Sequence, residues 1–327
     1  MSETSTLKSV AFRATTWLLA IGCFYLVYTK IVQAGAREGL GPLEYLVAFF
    51  QGVSWWQWLA IMVPYSVFFF VVDSHATWRV LRWFNAPNLK FTDVLPIRGS
   101  AYILSMVNEQ VGKGAMTLYL QRRHKVALWE GLSSMIFLAM GEIYQLLIFS
   151  AVGVAAYNGL VVQASSQLPL STILPAVFAV AALYFPLHYA FFSGRLAPNA
   201  ALLKKPIVHS LTKAKLKHYA LLLLFKAPNL IMAVVIYTAA LKLFQVPVNF
   251  GQMLAFLPVI FLAAALPLPF HAGALLLWTV LFPEYPEVGA FSLVMHTFFV
   301  AFNALLGVFF LPKANRELFD APAADPA

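Results

Sequence analysis

Six long apolar runs limit what this chain can fold into more than any other feature of its sequence. They lie at about residues 14–34, 55–78, 129–157, 172–193, 218–241 and 289–311. A helix needs about 20 apolar residues to cross the roughly 30 Å hydrocarbon layer of a membrane, and each run meets that length. Hydrophobic residues make up 61% of the chain and charged residues only 11%, a balance foreign to soluble globular proteins. The sequence therefore predicts an all-α integral membrane protein with about six transmembrane helices.

The distribution of lysine and arginine predicts how these spans are oriented. Of the 22 basic residues, 17, Arg98 among them, fall on one side of the predicted topology and three fall on the other. The basic side is predicted to be cytoplasmic, because cytoplasmic loops carry the excess of such residues. We expect a multi-pass protein of the inner (cytoplasmic) membrane of a bacterium or archaeon, with both termini in the cytoplasm. The net charge of +9 follows from the same bias, and nothing in it indicates nucleic-acid binding.

Two further stretches are too polar or too broken to be ordinary spans. One covers residues 98–121, and the other covers residues 250–282 with a break at 266–271. The alternation of basic loops is preserved only if each stretch enters and leaves the membrane on the same side. We therefore predict two re-entrant helical hairpins, the first inserted from the cytoplasm and the second from outside.

Hairpins inserted from opposite faces predict an internal symmetry. The half-repeats would cover about residues 55–157 and 218–311, arranged as an inverted repeat. We expect residues 1–319 to form a single polytopic membrane domain and residues 320–327 to be a disordered tail.

The first hairpin carries four candidate site residues at its centre: Asn108, Glu109, Gly112 and Lys113. Glycine permits tight turns and a close approach of ligand to backbone, so we expect the chain to turn near Gly112. Ionisable residues at membrane depth are candidates for a functional site. The alternative for Glu109 and Lys113 is a structural pair one helical turn apart.

Two more ionisable residues lie deep within predicted spans. Glu142 follows Lys125 by about 25 Å of helix and needs a partner or a proton there. Lys226 interrupts a leucine run about 13 Å into its span. We predict that Lys226 pairs with Glu142 or with an anionic headgroup. The alternatives are a purely structural partner for Glu142 and a Lys226 side chain that snorkels to the surface.

The remaining polar residues near the spans receive simpler interpretations. His271 follows the proline break of the second hairpin and is a candidate proton relay, with a hydrogen-bonded structural histidine as the alternative. Asp73 comes late in the second predicted span, and we expect an ordinary interfacial position for it.

The order of these parts resembles a known family. The segment RGSAYILSMVNEQVGKGAMTLYLQRRHKV is similar to the first signature of the flippase-like membrane family that includes the transmembrane domain of lysylphosphatidylglycerol synthase. The matching positions are Arg98, Asn108, Gly112 and Tyr119. The later run FLPVIFLAAALPLPFHAGALLLWTVLF resembles the second motif of that family through its prolines and glycine.

The chain also departs from the pattern of this family. Glu109 and Gln110 stand where the family often has Pro-Gly, and Gly141-Glu142-Ile143 stands where it often has Glu-Arg. The resemblance implies lipid translocation or the handling of lipid-linked glycans, and it does not identify the lipid.

These features predict a lipid transporter or flippase for an anionic or glycosylated lipid. Lys113 and Lys226 would attract the headgroup phosphate, and Glu142 would couple or gate its passage. The alternatives are a secondary transporter of a small soluble anion and a non-catalytic subunit of an envelope lipid or glycan assembly. No zinc, lipid-phosphatase or nucleophile-elbow motif is present in the sequence, so we expect no enzyme activity, metal or cofactor. Membrane lipids are the expected partners, and a homo-oligomer and envelope-biosynthesis partners are left open.

Overall fold

The structure is a computed structural model that describes residues 3–107, 109–165, 168–266 and 268–317. That description leaves out Asn108 and the predicted tail at 320–327. It also leaves out the side chains of residues 3–13, 105–107, 109–111 and 113. The described residues form thirteen α-helices, numbered α1 to α13 in chain order, and contain no strand.

Six of the helices are long and apolar enough to cross a membrane, which confirms the predicted number. These are α1 (Glu3–Arg37), α3 (Trp55–Phe84), α6 (Leu128–Ala156), α8 (Leu170–Phe192), α10 (Leu216–Leu243) and α13 (Val288–Asn315). The chain is an all-α multi-pass membrane protein. The helices run beyond the predicted apolar segments, most clearly where α3 continues six residues past position 78. Hydropathy marks where a helix leaves the hydrocarbon, whereas the helix itself continues into the polar region.

Seven shorter helices lie between the long ones. These are α2 (Pro42–Gln51), α4 (Phe91–Val107), α5 (Glu109–His124), α7 (Asn158–Ala164), α9 (His209–Lys213), α11 (Phe250–Ala264) and α12 (Ala272–Leu281). Of these, α4 packs against α5, and α11 packs against α12. Both predicted broken stretches are therefore pairs of short helices packed on each other.

The first helix pair corrects two details of the prediction. It begins at Phe91, so Arg98 lies inside α4 and not at its flank. The chain also does not turn at Gly112, which is a buried residue within the continuous helix α5. A glycine costs a helix about 1 kcal/mol relative to alanine, and the packing of α5 along α4 offsets a penalty of that size.

The second helix pair is interrupted where the sequence predicts a break. Helix α11 is capped by Asn249, whose side chain accepts a 2.8 Å hydrogen bond from the backbone N–H of Gln252. It ends at Ala264, and α12 follows a short 3₁₀ turn over Pro269–His271. Phe270 and His271 have φ angles of 54° and 51°, in the left-handed region that non-glycine residues rarely adopt. The backbone between α11 and α12 is therefore sharply turned.

The described residues separate into two compact units by their internal contacts. The first unit draws on the described residues within 3–61, 146–178 and 234–296, and the second draws on those within 62–145, 179–233 and 297–317. The helices α3, α6, α8, α10 and α13 each contribute residues to both units. The pair α4 and α5 belongs to the second unit, and the pair α11 and α12 belongs to the first.

A buried hydrogen bond and a close helix contact illustrate the packing within the units. In the first unit, the Tyr45 hydroxyl donates a 2.6 Å hydrogen bond to the buried Glu287 carboxylate. In the second unit, α4 and α13 meet at two glycines. A Cβ atom at Gly307 would lie 2.6 Å from the Gly99 carbonyl oxygen, so only glycine at position 307 permits this approach.

Candidate functional site

The second unit contains a cavity of about 240 Å³ whose wall includes four charged side chains. Its polar lining consists of Asp73, Thr77, Arg98, Tyr102, Glu142, Lys226 and Asn303. Aromatic and aliphatic side chains of α3, α6 and α13 form the rest of the wall. Ionisable groups within transmembrane helices are costly and mark functional sites by default, so this cavity is the candidate site.

Asp73 lies at the centre of the polar cluster. Its side chain is only 6% exposed, and its Oδ2 atom accepts hydrogen bonds from Arg98 Nε at 2.6 Å and from the Tyr102 hydroxyl at 2.8 Å. Hydrogen bonds between ionised partners are shorter and stronger than those between neutral groups. Asp73 is therefore held rigidly as a carboxylate acceptor.

The spacing of the donors explains how α4 supplies both of them. Arg98 and Tyr102 are four residues apart on α4, so they lie on the same face of the helix. The Arg98 guanidinium also lies over the Tyr102 ring, with its carbon 5.1 Å from the ring centroid. The two side chains reach Asp73 of α3 as one preformed unit.

Lys226 joins Asp73 to Glu142. Its Nζ atom lies 3.3 Å from Glu142 Oε2 and 3.9 Å from Asp73 Oδ1, and its side chain is 7% exposed. The predicted pair of Lys226 with Glu142 is confirmed by this contact. The alternative in which Lys226 snorkels to the surface is wrong. Two carboxylates lie near its ammonium group and compensate the cost of its burial, so the side chain does not extend to water.

Glu142 differs from the other members of the cluster in its exposure. It lies at the midpoint of the 29 residues of α6, yet its side chain is 55% exposed. The preceding Gly141 explains its position, because a side chain there would collide with Leu222 of α10. The close approach of α6 to α10 at Gly141 brings Glu142 within reach of Lys226.

The four charges of the cluster compensate one another. Arg98 and Lys226 carry two positive charges, and Asp73 and Glu142 carry two negative charges when ionised. A buried charge without a partner costs several kcal/mol, which the alternating arrangement avoids. The cluster is neutral overall, so an arriving anion must compete with a resident carboxylate for a cation.

Asn303 adds an unsatisfied acceptor to the cavity wall. The residue is 4% exposed, and its Oδ1 atom has no hydrogen-bond partner among the described residues. Buried polar atoms usually have a partner, and an orphan one indicates a place for a donor. A ligand hydroxyl, an ammonium group or a water molecule would supply that donor.

The other predicted site residues are not members of this cluster. His271 lies in the first unit, where its Nδ1 atom is 3.1 Å from the Ala264 carbonyl oxygen and its ring is 4.5 Å from that of His296, centroid to centroid. It lines a separate cavity of about 120 Å³. Gly112 lies within α5, and the side chains of Asn108, Glu109 and Lys113 are outside the described residues.

Sequence reasoning missed four polar residues of the cavity: Asp73, Thr77, Tyr102 and Asn303. Asp73 was expected only at an ordinary interfacial position, yet it is buried at the centre of the polar cluster. Tyr102, Thr77 and Asn303 carry no charge and were not among the predicted site residues. The available signal for Tyr102 was its spacing of four residues after Arg98. Nothing in the sequence marks Asn303 as a cavity residue.

No group of three or more histidine, cysteine, aspartate or glutamate side chains in the described part of the chain is arranged to hold a metal ion. The cavity chemistry is that of hydrogen bonding and charge pairing. Comparisons with models of protein families, with curated proteins and with solved structures find no match to this chain.

Proposed function

We propose that this protein is a membrane transporter that moves a lipid with an anionic or glycosylated headgroup across or within a bacterial or archaeal inner membrane. The observation that carries this proposal is the cavity lined by Asp73, Glu142 and Lys226 of three membrane-spanning helices together with Arg98 of α4. A purely structural protein gains nothing from four ionisable groups at this depth, since apolar residues of similar volume are at least as stabilising.

The exposure of Glu142 supports a hydrated passage at the cavity. A carboxylate at the midpoint of a transmembrane helix would be strongly disfavoured if it faced hydrocarbon. With 55% of its side chain exposed, Glu142 needs water or a polar headgroup beside it. A polar groove that opens at α6 would provide this environment and would let a headgroup enter while its acyl chains stay in the bilayer.

The two pairs of short helices support a transporter architecture. The second unit contains α4 and α5 together with the end of α3 and the start of α6. The first unit contains α11 and α12 together with the end of α10 and the start of α13. This order favours two re-entrant hairpins within an inverted repeat, as in transporters that bind substrate near the bilayer centre. The resemblance of both broken stretches to flippase-like sequences agrees with this proposal, and lipid is the corresponding cargo.

Lys226 and Arg98 are the cations available to a headgroup phosphate. Arg98 is already engaged with Asp73 through the hydrogen bond at its Nε atom, whereas Lys226 makes a looser contact with Glu142. We therefore assign the primary contact with the headgroup to Lys226. Asn303 would accept a hydrogen bond from a headgroup hydroxyl or ammonium group.

A scramblase or flippase assay in reconstituted vesicles tests this function. Vesicles containing a fluorescent phosphatidylglycerol are treated with an impermeant quencher, and the fraction quenched reports on translocation. We expect wild-type protein to speed translocation and Lys226→Gln to slow it at least about tenfold, which corresponds to about 1.4 kcal/mol. Lys217→Gln is the matched control, because Lys217 lies on the same helix, is exposed and does not line the cavity.

Transport of a small soluble anion is the second candidate, and the size of the cavity favours it specifically. At about 240 Å³ the cavity is smaller than most pockets for drug-sized ligands, so it admits a headgroup or a small anion but not an entire lipid. Thermal stabilisation by a soluble anion, with no response to anionic lipid and no lipid translocation, would favour this candidate over the first. A non-catalytic subunit would instead tolerate Lys226→Gln without any transport effect.

A further inference from the structure

Lys226 has two carboxylate partners of very different character. Asp73 is 6% exposed and is held by hydrogen bonds from Arg98 and Tyr102. Glu142 is 55% exposed, and Lys226 is the only ion-pair partner that the described residues give it. One carboxylate is therefore fixed, and the other is free to leave.

We infer that Glu142 is an exchangeable counter-ion of Lys226, which a singly charged anionic ligand displaces while Glu142 takes up a proton. This inference rests on the proposed function and adds that binding of the anion is coupled to uptake of a proton. The ligand oxygen accepts the hydrogen bond of the Lys226 ammonium in place of Glu142. The displaced carboxylate forms an O–H bond with a proton from the water that reaches its exposed side.

Charge balance within the cluster requires the proton. Before the exchange the charges of Asp73, Arg98, Lys226 and Glu142 sum to zero. A monoanion that entered without a proton would leave one uncompensated negative charge beside the buried Asp73 carboxylate, which is costly. Protonation of Glu142 restores a sum of zero, so one anion and one proton enter together and leave together.

The same balance limits the class of ligand. A phosphodiester or a carboxylate carries one negative charge and replaces Glu142 one for one. A fully ionised phosphate monoester carries a second charge that nothing in the cluster compensates. The unpartnered Oδ1 atom of Asn303 further favours a ligand with a hydroxyl or ammonium group near the anion.

Among the described residues, the charged and titratable side chains that face Glu142 come from three helices. Lys226 contacts it from α10, Asp73 lies behind that ammonium on α3, and Arg98 and Tyr102 act on it from α4. Helix α13 faces the cavity with Phe299, Val300 and Asn303, none of which titrates. Glu142 is the one exposed carboxylate among these groups and is therefore the one that water can reach.

Proton uptake on binding tests the exchange directly. Purified protein is titrated calorimetrically at pH 6 in two buffers of different ionisation enthalpy, so that the heat difference gives the number of protons taken up. The probes are dihexanoyl phosphatidylglycerol and dimethyl phosphate, two phosphodiesters whose own charge is constant near this pH. We expect uptake of about one proton per bound probe, and an affinity that falls by up to about tenfold per pH unit once Glu142 must be protonated to bind.

Two glutamate-to-glutamine variants isolate the proton site. Glu142→Gln should bind either probe with uptake near zero and with affinity independent of pH, because the neutral amide mimics the protonated acid. Glu130→Gln removes a carboxylate from the same helix outside the cavity and should keep the wild-type proton number.

The outcomes separate the exchange from the proposed function. Binding to wild type without proton uptake, or unchanged uptake in Glu142→Gln, would overturn the exchange while leaving an anion transporter in place. Failure of both probes to bind wild type would overturn both proposals. Proton-coupled binding of the lipid probe alone supports the exchange with a lipid headgroup, and equal proton-coupled binding of both probes supports it with the phosphodiester group itself.

Discussion

Arg98 of α4 donates a 2.6 Å hydrogen bond from Nε to the Asp73 carboxylate of α3. The Asp73 side chain is 6% exposed, so its negative charge is compensated by side chains and not by solvent. This contact joins the first helix pair to a membrane-spanning helix and sets the charge pattern to which Lys226 and Glu142 add. The cluster therefore has a structural part, around Asp73, and an exchangeable part, around Glu142.

Asp73→Asn should destabilise the protein by about 3–5 kcal/mol, because it leaves the buried Lys226 and the largely buried Arg98 with one exposed carboxylate to share. The double variant Asp73→Asn with Arg98→Gln returns the cluster to neutrality and should be less destabilised than Asp73→Asn alone. Unfolding by a denaturing detergent would measure both values. The exposed Glu38→Gln is the control and should change stability by less than about 0.5 kcal/mol. Additive effects in the double variant would contradict a coupled pair.

Glu287 should make stability depend on pH. Burial raises the pKa of its carboxyl above the usual 4.5, and the hydrogen bond from Tyr45 opposes that rise only in part. A folded-state pKa above the unfolded value means that the folded protein keeps a proton that the unfolded chain has lost. This contribution to stability is complete below about pH 4.5 and is lost as the pH rises through the raised pKa.

The comparison of two variants with wild type isolates this effect from other titrating groups. Glu287→Gln cannot ionise, so its unfolding free energy should fall less with rising pH than that of wild type. Tyr45→Phe removes the donor that stabilises the ionised carboxyl, so the pKa of Glu287 should rise further and the loss of stability should extend to higher pH. Identical pH profiles for wild type and Glu287→Gln would show that this carboxyl does not titrate between the two states.

Gly307→Ala should cost about 1–3 kcal/mol of stability through overpacking of α13 against α4. The added Cβ would lie 2.6 Å from the Gly99 carbonyl oxygen and 2.7 Å from Ile103, and a backbone oxygen cannot move aside alone. Gly22→Ala is a matched control in another long helix, since no atom of a neighbouring element lies within 4 Å of the position that its new methyl group would occupy. That control should be neutral or slightly stabilising, because alanine favours a helix over glycine. Equal effects of both substitutions would argue against close packing at Gly307.

Accessibility labelling should locate the ends of the two helix pairs. In a Cys23→Ser background, single cysteines replace exposed residues at the four ends: Lys90, Arg123, Asn249 and Glu284. Re-entrant hairpins place the first two on one face of the membrane and the last two on the other. An impermeant thiol reagent applied to sealed vesicles distinguishes the faces. If cysteines at positions 90 and 123 were labelled from opposite faces, α4 and α5 would together cross the membrane. That result would remove the basis of the proposed architecture.

Local chain chemistry explains which elements could be predicted. The six long helices follow from apolar runs of sufficient length, and the break before α12 follows from prolines that end a helix. The turn expected at Gly112 was wrong because helix formation there depends on the packing of α5 against α4 as well as on the residue's own preference. The extra length of α3 was missed because hydropathy does not register the polar end of a helix.

The charged cavity illustrates the division between local and tertiary information. The pairing of Lys226 with Glu142 was predictable, since each was a lone charge deep in an apolar helix and needed a partner. The role of Asp73 was missed because its partners come from α4, 25 and 29 residues further along the chain.

The sequence by itself determined that the chain enters a membrane, how many helices are long enough to cross it, and which charges are too deep to remain alone. These properties depend on residue type and on spacing along one helix, both of which a sequence contains. Only the tertiary structure decided that Asp73, Arg98, Tyr102, Lys226 and Asn303 line one cavity, because the separation of side chains on different helices depends on how those helices pack. Small residues such as Gly141 and Gly307 set that packing, and their effect exists only once the neighbouring helix is in place.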